Sequence, residues 1–129
     1  MPMKILVVDD ERDVELLFRQ QFRKEVRDGS MVLLFAFSGE EALTILRLPE
    51  STDLVLILSD INMPGMTGIE LLGRVKAFSP LLKVYMITAY GDSNNLQRAQ
   101  ENGADRFITK PVDFAMLKQE IREEFSDFF

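Results

Sequence analysis

The chain has no cysteine and no histidine among its 129 residues, and these gaps exclude more chemistry than the rest of the composition does. Without cysteine there is no disulfide, no thiolate nucleophile and no thiolate-held metal. Without histidine there is no Ser-His-Asp triad, no imidazole base and no His-ligated zinc. What remains is carboxylate, hydroxyl and lysine chemistry, with room for a hard cation. Any phosphohistidine must be supplied by another molecule. Cations are also short, 15 against 21 acids for a net charge of −6, so a phosphate backbone is repelled and nucleic-acid binding is not expected. No apolar run is long enough to span a bilayer, and the N-terminus lacks a signal-peptide core. A cytoplasmic location is the expectation. The length suits one domain over 1–129.

The apolar residues alternate between two periods. Residues 4–8 form a near-continuous run, after which Val14, Leu17, Phe18, Phe22 and Val26 recur at helical spacing. Strands are predicted over 4–8, 31–37, 53–60, 82–88 and 105–110. Helices are predicted between and after them. Ser38-Gly39-Glu40-Glu41 and Thr67-Gly68-Ile69-Glu70 fit capping boxes, and Asp113 suits an N-cap. The helix over 92–102 carries only Leu96 and Ala99 as apolar residues between Ser93 and Asn102, so weak anchoring is expected. Gly103 reads as its left-handed cap. Five βα units predict an α/β fold: a doubly wound parallel five-stranded sheet in order 2-1-3-4-5. Ligands of such sheets sit beyond the carboxyl ends of the strands.

Four strand ends carry the polar residues that matter. Asp9-Asp10 follow the first strand, Asp60 ends the third, Thr88 the fourth and Lys110 the fifth. Three crowded carboxylates need positive charge nearby, and Mg2+ with its oxygen ligands suits them. Lys110 and Thr88 supply the ammonium and hydroxyl that a phosphoryl group on Asp60 needs. The Pro64-Gly65 turn leaves the Asn62 carbonyl free to face the cation. The remaining acids, Asp13, Asp53, Asp105 and Asp127, are expected as caps and solvated faces.

On Asp9-Asp10, the 59–68 stretch, Thr88-Ala89 and the 107–111 stretch, the chain resembles the receiver domain of two-component response regulators, the CheY-like family, over essentially its whole length. The resemblance implies that Asp60 is the phosphoacceptor and that Asp10 binds Mg2+ directly. Asp9 is implied to bind mainly through water, with the Asn62 carbonyl completing the set. It implies a sensor histidine kinase or phosphotransfer protein as donor and a cis peptide at Lys110-Pro111. It further implies a switch in which Thr88 moves and Phe107 turns inward. That reshapes the surface of the fourth predicted helix, the fifth strand and the fifth predicted helix, toward an effector or a dimer partner. Asn62 and Tyr90 are implied to set the phosphate lifetime.

Two enzyme-like readings compete. A phosphohydrolase of the haloacid dehalogenase type needs Asp-x-Asp after its first strand, whereas the position two beyond Asp60 is Asn62. A flavodoxin-like carrier needs a hydroxyl- and glycine-rich phosphate loop where this chain has Asp9-Asp10-Glu11. A degenerate receiver would lack site residues that are all present. The expectation is a phosphoacceptor switch, not an enzyme, with no output domain in this chain. The chain reads either as a stand-alone regulator or as a receiver taken from a larger one, and the Phe128-Phe129 pair points to the second.

Overall fold

The computed structural model describes residues 2–89 and 91–128. Five strands, β1 (Met3–Val8), β2 (Met31–Ala36), β3 (Leu54–Asp60), β4 (Lys83–Thr88) and β5 (Arg106–Thr109), form one parallel sheet in the order β2-β1-β3-β4-β5. The helices are α1 (Arg12–Gln21), α2 (Arg23–Arg27), α3 (Gly39–Leu46), α4 (Gly68–Phe78), α5 (Ser93–Glu101) and α6 (Phe114–Glu124). Strand order and crossover pattern match the sequence expectation. Among the described residues no helix is long and apolar enough to cross a membrane.

Strand residues alternate between two cores, as the period of two demands. Leu6, Val8, Ile57, Val84 and Met86 pack with Ala42, Leu46, Ile69, Leu72, Val75 and Ala99 of α3, α4 and α5. Ile5, Val7, Leu56, Leu58, Tyr85 and Ile87 pack with Phe18, Phe22, Leu117 and Ile121 on the other face. Phe18 and Phe22 stack at 6.0 Å, and Phe114 meets both edge-on.

Three local expectations change. The first predicted helix breaks at Phe22 (φ −103°, ψ 16°) into α1 and α2. The last turn rotates so that Glu25 is buried and Val26 is 42% exposed. Glu25 is drawn in by Lys118 at 3.2 Å and Arg122 at 3.7 Å, both on α6. Asp105 is no solvated acid: it accepts from the Val84 N–H at 2.9 Å and from Lys76 Nζ at 2.7 Å, tying the foot of β5 to α4. The capping boxes are observed only in their forward half, Ser38 accepting from Glu41 N and Thr67 from Glu70 N. Asp113 and Asp92 cap α6 and α5 in the same way. Gly103, at φ +92°, ends the segment containing α5 as expected.

Candidate functional site

Register brings the strand ends together. Val8 pairs with Ser59 and Asp60 with Ile87, while Thr88 pairs with Thr109. The ladders continue past the strands: Asp9 N–H donates to Ala36 O, Ile61 N–H to Ile87 O, and Lys110 N–H to Thr88 O. Asp9, Asp10, Asp60, Thr88 and Lys110 therefore share one sheet edge, as the topology predicts.

Asp9, Asp60 and Thr88 are buried there, whereas Asp10 is exposed. One carboxylate oxygen from each of Asp9, Asp10 and Asp60 lies within 4.8 Å of the others, a cluster able to hold a metal ion. Lys110 Nζ is 3.1 Å from Asp60 Oδ2, a charge-assisted contact between residues 50 apart in sequence. Burial works to lower the Lys110 pKa. The hydrogen bond to Asp60 and the charges of Asp60, Asp9 and Glu11 outweigh it, so the ammonium is held above its ordinary value. The Thr88 hydroxyl donates only a long 3.5 Å bond to Ala89 O, which leaves it available to a stronger acceptor. Lys110-Pro111 is cis, as the resemblance implied.

Asp60 leads through buried Ile61 to exposed Asn62 and the turn at Gly65 (φ +74°), then into α4. Phe107 is half-buried against the core that includes Ala99. Tyr90 lies outside the described residues. Two contributors were not singled out from sequence. The Glu11 N–H donates to Asp9 Oδ1 at 2.9 Å and fixes that carboxylate. Gly68 N–H donates to Ile61 O at 2.8 Å, and its bare Cα lies against the backbone of Asp60. A glycine in the first turn of a well-capped helix was the available signal, since Gly is a poor helix former.

The acid cluster has an energetic signature. Burial, then the charge of Asp60, pushes the Asp9 pKa from 3.8 up to about 6, against the hydrogen bond from Glu11. A folded pKa above the unfolded one gives stability that is complete below about pH 4 and is lost as pH rises through 6. At neutral pH without metal, ionised Asp9 therefore strains the fold. Asp9→Asn is expected to stabilise the metal-free protein at pH 7 by about 2 kcal/mol, after allowance for water at the open rim. Thermal melts in EDTA check this: the variant should melt several degrees higher, with the gap closing toward pH 4. A lower melting temperature for the variant at pH 7 contradicts it.

The chain matches the family described as response regulator receiver domain over residues 5–122. It is 35% identical over 123 residues to sporulation initiation phosphotransferase F of Bacillus subtilis, covering 95% of this chain and 94% of that protein. A cyclic di-GMP phosphodiesterase of Thermotoga maritima is 33% identical over 119 residues; the match covers 92% of this chain but 30% of that protein. Among solved structures, the CheY-like response regulator receiver domain protein from Methanospirillum hungatei superposes with a TM-score of 0.85 at 29% identity. It covers 99% of this chain and 97% of that one. The match spans Asp9 through Lys110, and the chain belongs to the response regulator receiver domains of two-component signalling.

Proposed function

We propose that Asp60 accepts a phosphoryl group from the phosphohistidine of a sensor kinase or phosphotransfer protein, with Mg2+ held by Asp9, Asp10, Asp60 and the Asn62 carbonyl. The observation that carries this reading is the meeting of three carboxylates within 4.8 Å beside an ammonium 3.1 Å from Asp60. Carboxylates and a carbonyl are hard oxygen donors, the set that Mg2+ prefers. When bound, the ion supplies positive charge against the acids and the phosphoryl oxygens.

Asp60 oxygen attacks phosphorus, the P–N bond breaks, and its electron pair returns to the donor imidazole. Lys110 neutralises one phosphoryl oxygen and the Thr88 hydroxyl donates to a second. Thr88 then draws inward and Phe107 follows into the space it leaves. The α5-β5-α6 surface changes shape for an effector, a further domain or a second copy. Support comes from α5, whose one buried residue is Ala99. A groove of about 740 Å3 opens beside the site between α1 and the Pro111 loop, with apolar walls from Val14, Leu17, Phe18 and Phe114. Its place beside Asp9 and Lys110 suits a protein donor over a small ester. The chain acts as one cytoplasmic receiver domain and a switch, with no turnover of its own beyond gaining and losing the phosphoryl group.

Incubation with acetyl phosphate and Mg2+ tests the reading: intact mass should rise by one phosphoryl group and should not do so in EDTA. On this reading Asn62 and Tyr90, two positions beyond Asp60 and Thr88 in sequence, set the lifetime of the aspartyl phosphate. Tyr90→Glu is expected to change the decay rate several-fold; the same rate in variant and parent rejects that role.

A further inference from the structure

Far from Asp60, at the opposite end of the sheet, α3 and α4 finish beside each other and leave a groove of about 340 Å3 between them. Leu43, Leu46 and Ala77 supply its apolar walls, Phe78 stands at its edge, and Arg47 and Arg74 flank it. Phe78 is 63% exposed. Leu48 and Leu81, close in sequence to Arg47 and Phe78, are 45% and 90% exposed. Phe78 and the groove walls form one exposed apolar surface of the kind that marks a contact.

Charge says what kind of contact. The chain carries 21 acids and 15 bases, yet this lining holds two arginines and no acid. Neither Arg47 nor Arg74 takes part in any of the ion pairs or cation–ring contacts among the described residues. The α3 dipole accounts for Arg47, which caps the C-terminal end of that helix. It does not account for Arg74, in the interior of α4. Guanidinium groups are over-represented where carboxylates are recognised in a forked geometry.

From this we infer a second docking site, in which the α3–α4 groove takes an acidic amphipathic helix of a partner protein. Its apolar residues enter between Leu43, Leu46 and Phe78, and its carboxylates meet Arg47 and Arg74. A concave groove between two helices fits an inserted side chain better than the flat surface of a bilayer, and a net charge of −6 opposes an anionic membrane. The pole is remote from Asp60, so the site is open whether or not that residue is phosphorylated, and it goes beyond the receiver reading.

The probe is a fluorescein-labelled helical peptide with leucine and phenylalanine along one face and glutamate flanking them. Its control carries lysine for each glutamate. Anisotropy against the parent chain should show saturable binding of the glutamate peptide, little binding of the lysine peptide, and the same affinity for Asp60→Asn. Arg74→Glu and Phe78→Ala, both at exposed positions and checked by circular dichroism, should each weaken binding about tenfold or more. Neither should alter acetyl phosphate labelling. Absence of binding by the glutamate peptide overturns the inference. So does equal binding of the two peptides, indifference to Arg74→Glu, or preferential binding of the chain to phosphatidylserine vesicles. None of these outcomes bears on phosphorylation, so failure here is distinguishable from failure of the receiver reading.

Discussion

Asp60→Asn is expected to leave the chain folded and to abolish the gain of a phosphoryl group from acetyl phosphate and Mg2+. Asparagine keeps the shape of aspartate but replaces the attacking oxygen anion with a neutral amide. Lys110 loses its charged partner, yet its side chain is 39% exposed and water can solvate the ammonium. The fold therefore has little reason to fail. Intact mass spectrometry reads the outcome, with circular dichroism confirming structure. Full labelling of the variant would place the acceptor elsewhere, with Asp9 and Asp10 the nearest candidates. A small mass shift that persists in EDTA has the same consequence, because it does not depend on the acid cluster.

The second large effect falls on a residue with no side chain. A Cβ on Gly68 would strike the carbonyl oxygen of Asp60 and lie 2.7 Å from the Ile61 Cα. Both are backbone atoms, at the last residue of β3 and the residue after it, so no side chain can swing away. Gly68→Ala is expected to cost about 3 kcal/mol or more, a fall of roughly 10 °C in melting temperature. It should also slow labelling of Asp60, since relief requires β3 or α4 to move. Gly73→Ala is the internal control. It lies on the same helix, and its Cβ would meet only Asn102 Oδ1 at 3.7 Å, so it should be neutral or slightly stabilising. If the two variants melt alike, close packing at Gly68 is not what fixes Asp60.

The fold was legible because each strand is an apolar run flanked by helical spacing, and because parallel topology sends every strand's polar end to one edge. That alone brought residues 9, 10, 60, 88 and 110 together in the reading, and geometry agrees. What escaped the sequence was pairing across long separations. Glu25 sits where a helical period would leave it in water, and its burial is explained by Lys118, 93 positions away, together with Arg122 on the same helix. Asp105 looks like one more surface acid until Lys76 and the Val84 N–H are seen to converge on it. Gly68 was visible only as part of a cap, since the close approach of a helix start to the backbone at the end of β3 has no local signature. Tyr90, a residue assigned a role in phosphate lifetime, lies outside the described residues.

The construction of α5 has a consequence for whatever reads this protein. Its one buried residue is Ala99, while Leu96 remains 38% exposed. A segment held by one fully buried alanine and one partly covered leucine carries little of the folding free energy, so it can loosen at small cost to the rest of the fold. A recognition surface built on it presents many conformers, and a binder must bear the entropy of selecting one. Affinity on that side can then rise or fall with the stiffness of α5 alone, even where every contacting side chain stays the same.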